Sequence, residues 1–284
     1  MVRGPNGGGP VTVCSPDLKH ERKLRSQGFA TIAGLDEVGR GAWAGPLTVG
    51  VAVVRPRVQM RTMPSWLRDS KMLSEARREE IFESVGKWCQ AWGVGHSSPA
   101  ECDEWGMTEA LRVAARRALD QLDVQPDALL IDGPVNLLRH AEDPFSGEVR
   151  PIVDGDAKCA SVAAASVLAK VVRDRLMREQ ADHYPAYAFE RNKGYPSPVH
   201  KIALRGYGPS AVHRRTWAFV RNLPWCGDPR RRRCATTISD DGADLGEMAG
   251  DGVPLAPFDE ERFFDRTDLL RLPATGAEAA AGGG

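Results

Sequence analysis

Three times in this chain a short apolar run ends on an acid with a glycine close behind: "AGLDEVG" (33–39), "ALLIDG" (128–133) and "PIVDGD" (151–156). Acids are poor strand residues, and glycine inside an element costs conformational entropy. Each run therefore reads as a buried strand that stops at its acid and gives way to a loop. Side chains at strand ends project from a rigid platform into a crevice, which is where α/β proteins gather their functional groups. The pattern selects four acids together: Asp36, Glu37, Asp132 and Asp156.

Strands are expected at 31–35 and 47–54, joined by a glycine turn, with others at 91–95, 127–134 and from 150 onward. Ser74 can cap a helix running to about 91, with Glu75 well placed in its first turn. Pro99 fits the first position of a small helix, 108–122 reads as a longer one, and Ser161 as the cap of a strong helix over 161–179. Strands interleaved with helices imply an α/β domain, a mixed central sheet flanked by helices. We place it at 22–225, after a Gly/Pro-rich, disordered segment 1–21. The tail, 226–284, is low in complexity, although "FDEERFFDRTDLLRL" within it has the pattern of a short amphipathic helix.

The 284 residues are 42% apolar, enough for a real core, and no run approaches the length of a membrane span. The N-terminus lacks the apolar stretch of a signal peptide, and the six scattered cysteines form no C-x-x-C pair, so a reducing, cytoplasmic setting is expected. The net charge of zero hides an asymmetry. The segment from Cys226 onward carries 7 basic and 12 acidic residues, leaving 31 and 26 in the body. A body with five excess positive charges admits a polyanionic partner without requiring one.

Carboxylates brought within a few ångströms raise one another's pKa, so a cluster makes sense where a hard cation neutralises it. Oxygen donors with no His or Cys point to Mg²⁺ or Mn²⁺ rather than zinc. Neighbours on a strand point to opposite faces. Asp36 and Glu37 can therefore share an ion only if the strand ends near Asp36 and the glycines at 39 and 41 let the backbone turn. Against the cluster stands the plain alternative that acids at strand ends are caps and turn residues. Elsewhere, Asp174 reads as an ion-paired surface acid beside Arg173 and Arg175, His200 and His213 as structural histidines in preference to aids in proton transfer or product exchange, and Trp88, Trp92, Trp105 and Met107 as core. Lys71, Lys158 and Lys170 are candidate phosphate contacts.

The run "IAGLDEVGRGAWAGPLTVGVAVV" (32–54) resembles the opening motif of ribonuclease HII, the type 2 ribonuclease H family. Four further stretches resemble it in the same order: "LRDSKMLS" (67–74), "IDG" (131–133), "GDAKCASVAAASVLAKVVRD" (155–174) and "YAFERNKGYPSPVHKIALRGYGPSAVHR" (187–214). The resemblance implies a ribonuclease H-like fold with a helical C-terminal part. It implies an endonuclease that cuts the RNA strand of RNA–DNA hybrids and single ribonucleotides embedded in duplex DNA, leaving 3′-hydroxyl and 5′-phosphate ends with Mg²⁺ or Mn²⁺. By the same resemblance the catalytic, metal-holding acids fall on Asp36, Glu37, Asp132 and Asp156. The Gly-Arg-Gly that senses the 2′-hydroxyl falls on Gly39, Arg40 and Gly41, and the substrate-contacting tyrosine on Tyr195.

Departures from the family pattern are Asp154 where a lysine is usual, which adds negative charge beside the metal acids, "DSKML" for "DSKKL", "NKGYPS" for "HKGYGT", and a hydrophilic extension at 139–150. The sister ribonuclease HIII normally has a separate N-terminal substrate-binding domain, for which 1–28 is too short. A catalytically silent hybrid-binding protein is disfavoured by the presence of all four acids. A monomer is expected, with the tail as the place for any protein partner such as a sliding clamp.

Overall fold

The computed structural model describes residues 15–56, 63–64, 67, 73–136, 138–139 and 145–227. Five strands form one sheet in the order β3-β2-β1-β4-β5: β1 Ile32–Val38, β2 Leu47–Val53, β3 Ala91–Ser97, β4 Ala128–Asp132 and β5 Glu148–Ile152. The β1–β2 and β2–β3 pairs are antiparallel, whereas β1–β4 and β4–β5 are parallel, so the sheet is mixed, as expected. Pro151, which cannot donate to a ladder, sits on the outermost strand. That strand starts at Glu148, so the end of the 139–150 extension is sheet rather than loop.

Helices cover both faces. On one lie α2 (Glu75–Trp88) and α5 (Ala160–His183); on the other lies α3 (Pro99–Asp120). Alternation along β2 divides its residues: Leu47, Val49, Val51 and Val53 pack toward α3, and Ala52 toward α5. The α5 side is built for close approach. A Cβ on Gly34 would lie 2.3 Å from the Ser161 carbonyl carbon, and one on Gly50 2.4 Å from the Ala165 oxygen. The alanine-rich first turns of α5 thus rest directly on the strands that carry the acids.

Ser74 caps α2 as expected, accepting from the Arg77 N–H at 3.2 Å. The two helices expected after residue 98 form one element, α3, bent at Gly106 (φ 77°) and started by a Ser98–Glu101 capping box. Trp105, expected in the core, lies beside that bend and is 41% exposed; Trp88, Trp92 and Met107 are half-buried against the core.

Three boundaries differ from expectation. Strand β1 continues through Asp36 and Glu37 to Val38, because β2 pairs with it to the end. Helix α1 (Lys19–Ser26) starts before residue 22, inside the stretch assigned to disorder. Helix α5 is preceded by Cys159, and Ser161 lies one residue inside it. The Ser161 N–H and hydroxyl both donate to Glu21 of α1, at 2.9 and 2.7 Å, so α1 caps α5 from outside. The expectations about 1–14 and 228–284, the tail partner included, lie outside the described residues.

After α5 come a 3₁₀ turn (Pro185–Tyr187) and three short helices, α6 (Phe189–Asn192), α7 (Pro198–Tyr207) and α8 (Ala218–Arg221). They close over a second core of Trp43, Met177, Tyr184, Tyr187, Phe189 and Leu204, which holds them beside the glycine turn after β1. Among the described residues no helix is long and apolar enough to cross a membrane.

Candidate active site

Strand register decides which face each acid occupies. Asp36 pairs with Gly50 and so points to the α5 side, whereas Glu37 pairs with Val49 and points to the α3 side. In the parallel pair Leu35 lies opposite Ile131, so Asp36 and Asp132 follow on adjacent strands and share the α5 face. The Asp132 Oδ1 accepts from the Gly155 N–H at 2.6 Å. That bond docks α4 (Gly155–Lys158) against the end of β4 and brings in Asp156, buried in its first turn. The space is tight: a Cβ on Gly155 would stand 3.3 Å from the Asp132 Cα and Oδ1.

Three acids thus gather on one face of the sheet end. Glu37 flanks them from the other, and both it and Asp36 border a cleft lined by Val49, Leu111, Ile131 and Leu138. The chain does not turn at Asp36 to bring Glu37 to the same side, because β1 runs on through Glu37 to Val38. Glu37 still senses the group. Burial and then the Asp132 charge raise its pKa, against the Arg40 guanidinium 3.4 Å from its Oε1.

Asp36 is strongly perturbed. Burial foremost, then the charges of Asp132, Glu37 and Asp156, push its pKa up to about 8, although a hydrogen bond from Ser166 of α5 acts the other way. Among the described residues no three His, Cys, Asp or Glu side chains already stand as ligands to one ion. The donor set nevertheless suits a hard divalent cation: all oxygen, multiply negative, and with Asp36 pushed toward its neutral form first by burial and then by charges that a cation would cancel.

Gly39 takes φ 86°, and its N–H donates to the Tyr195 Oη at 3.1 Å. The Gly41 Cα presents its open side to the same ring, since a Cβ there would stand 3.9 Å from Tyr195 Cε1. Gly39, Gly41 and Tyr195 therefore form one surface immediately after the acids, with the Arg40 side chain exposed beside it. Lys158 is not spread toward solvent: its Nζ bonds the Val153 carbonyl at 2.5 Å. Lys71 lies outside the described residues. Lys170 pairs with Asp174 at 2.5 Å and stands 5.8 Å above the Tyr195 ring. Asp174 is ion-paired as expected but buried rather than on the surface. Asp154 is exposed and adopts a left-handed conformation (φ 55°), which aspartate tolerates better than most residues.

Two residues of the site did not emerge from the sequence. Arg173 of α5, fully buried, donates to the carbonyls of Pro46, Ala44 and Lys193 at 2.9, 3.1 and 2.9 Å. A Cβ on Gly39 would strike its Nε at 2.3 Å, which is why that turn needs glycine. Arg214, also fully buried, bonds the carbonyls of Gly45 at 3.1 Å and Arg40 at 3.4 Å. Together they pin the glycine turn to the loop that carries Tyr195. The signal for Arg173 was available: it continues the small-residue stripe Ala165–Ala169 at helical spacing, with Met177 next.

Residues 33–220 match the family model described as Ribonuclease HII. A curated relative named Ribonuclease HII from Streptomyces avermitilis is 48% identical over 205 residues, which cover 72% of this chain and 84% of the relative. The crystal structure of ribonuclease H2 from Pyrococcus horikoshii is similar at 30% identity and a TM-score of 0.58, covering 68% of this chain and 96% of that one. The ribonuclease HII of Archaeoglobus fulgidus, solved in a complex with PCNA, is similar at 29% identity and a TM-score of 0.57, with the same coverage. The mixed sheet, its flanking helices and the family match over most of the described chain agree: the chain belongs to the ribonuclease HII family and is a ribonuclease H, an endonuclease that cuts the RNA strand of RNA–DNA hybrids.

Proposed function

We propose that this ribonuclease H also incises duplex DNA on the 5′ side of a single embedded ribonucleotide, leaving 3′-hydroxyl and 5′-phosphate ends, and that it acts as a monomer. The observation that carries the reading is the 3.1 Å bond from the Gly39 N–H to the Tyr195 hydroxyl. It joins the turn that leaves the acids to an aromatic ring, on a surface with almost no Cβ atoms in the way. Telling RNA from DNA means reading a 2′-hydroxyl, both donor and acceptor, and glycine backbone can approach it closely. Tyr195 offers a flat face for the deoxynucleotide on the far side of the junction, with the cations of Lys170 and Arg173 nearby.

Asp36, Asp132 and Asp156 would hold two divalent ions, Mg²⁺ or Mn²⁺, and Glu37, on the other face but near enough to feel the Asp132 charge, would reach them around the end of β1. When bound, such a pair supplies a water that is nucleophilic at neutral pH and stabilises charge on the leaving 3′ oxygen. Asp36 would be the acid most relieved by a bound cation, because burial and the other three charges all oppose its ionisation. Ser166 orients its carboxyl, and the Gly155 N–H fixes that of Asp132. Loss of outer-shell partners costs about 10–100-fold at metal sites, so Asp36→Asn, which removes an inner charge and little volume, should cost more than roughly 100-fold in cleavage. Its far-ultraviolet circular dichroism should be unchanged. Activity above a tenth of wild type in a folded Asp36→Asn variant would remove Asp36 from the residues that hold the metal.

A further inference from the structure

Behind Tyr195 lies a chain of hydrogen bonds whose proton order is fixed by its ends. The Tyr195 carbonyl can only accept, so the His200 Nδ1, 2.9 Å away, carries a hydrogen. A neutral His200 then presents Nε2 as an acceptor, and the His213 Nε2 at 2.9 Å must be the donor. That leaves His213 Nδ1 as an acceptor, and it faces donors: the Ser210 N–H at 3.0 Å and the Ser210 hydroxyl at 2.8 Å. Each step forces the next, and the last partner has the right polarity.

The chain is buried. His200, His213 and Ser210 are each at most 1% exposed, and Trp43, Tyr187 and Phe189 pack around the rings. Burial lowers the pKa of both imidazoles, that of His213 further through His200 and Arg215, in keeping with two neutral rings. The backbone it holds needs holding: Lys193, two residues before Tyr195, takes φ 51°, a left-handed conformation that is costly for a lysine. Tyr195 is clamped at three points, its N–H on the Asn192 carbonyl at 2.8 Å, its carbonyl on His200 and its hydroxyl on Gly39.

We propose that His200 and His213 are positioning residues. Through the order Ser210, His213, His200, Tyr195 they seat the tyrosine ring against the Gly39–Gly41 surface, and so set how strongly the enzyme favours a lone ribonucleotide over a continuous hybrid. The inference rests on the reading of Tyr195 as a junction reader.

A purely structural role for the pair would slow both substrates alike. The informative quantity is therefore the ratio of incision at a single embedded ribonucleotide to cleavage of a long RNA–DNA hybrid, because this ratio cancels the folded fraction. Wild type, Tyr195→Ala, His213→Ala, His213→Gln and the double variant Tyr195→Ala/His213→Ala are compared. His213→Ala strands a buried acceptor on His200 and should lower the ratio about tenfold. His213→Gln, which keeps one donor and one acceptor, should recover most of it, and the double variant should match Tyr195→Ala alone. An unchanged ratio in His213→Ala, where Tyr195→Ala lowers it, overturns the proposal and leaves the junction reading intact. Independent effects that multiply in the double variant overturn it as well. If Tyr195→Ala itself leaves the ratio unchanged, the junction reading fails and this inference falls with it. Should His213→Ala not fold, Ser210→Ala removes only the hydroxyl donor: a fall of about threefold supports the chain, and no change overturns it.

Discussion

Asp36 keeps its proton to about pH 8 because burial and three neighbouring charges oppose its ionisation. An unfolded chain releases the same proton near pH 4. Between those values the metal-free folded state binds more protons, so its contribution to stability falls as pH rises through that window. A divalent cation reverses the balance and expels the proton. We expect binding of Mg²⁺ or Mn²⁺ at pH 7 to release close to one proton, and affinity to rise with pH up to about 8. Calorimetric titrations in two buffers of different ionisation enthalpy measure this directly, and no difference between them would contradict it. Arg173 gives a second expectation. Lysine cannot span three carbonyls with one ammonium, so Arg173→Lys should cost about 1–3 kcal/mol in denaturant unfolding; a loss under half the lower figure would mean the fork is dispensable. Asp36, Glu37 and Asp132 were legible residue by residue, since each lies at the end of an apolar run, whereas Asp156, expected to end a strand, lies in the first turn of α4, beyond the end of β5 at Ile152. Arg173 was not, because the charges beside it in sequence, Asp174 and Arg175, drew attention from the buried stripe to which it belongs.

Helix α5 and strands β1 and β2 are the elements that set the site's geometry. Gly50 lets α5 lie on β2 directly opposite Asp36, and a side chain there meets the Ala165 oxygen and the Ala169 Cβ at 2.4 and 2.9 Å. Gly50→Val should therefore destabilise by about 1–3 kcal/mol. It should also depress cleavage beyond the loss of folded protein, because α5 carries Ser166 away from Asp36; proportional losses in activity and folded fraction would refute that coupling. The strands and most helix starts could be read from local pattern, as with Ser74 and Pro99. What could not be read was long-range. The cap of α5 comes from Glu21, 140 residues earlier, so a local reading settles on Ser161 instead. The end of β1 is set by how far β2 pairs with it, and only the partner strand shows that Glu37 faces α3.

At the scale of the molecule, two platforms meet over the glycine turn: the sheet end with its acids, and the C-terminal helices with Tyr195. Arg173 and Arg214 bolt one to the other, and the histidine pair steadies the second from behind. The fold class and the family were legible because five motifs occur in order across the domain. The joining of the platforms was not, since it runs through side chain to backbone bonds between segments more than a hundred residues apart. The account stands or falls on one assay: a DNA duplex with one ribonucleotide, incubated with the full chain and Mg²⁺, Mn²⁺ or a chelator. Metal-dependent incision 5′ of the ribonucleotide is the predicted result. Cleavage of long hybrids with no incision at the single ribonucleotide would contradict the junction reading of Gly39–Gly41 and Tyr195, and incision that persists in chelator would contradict the role of the four acids.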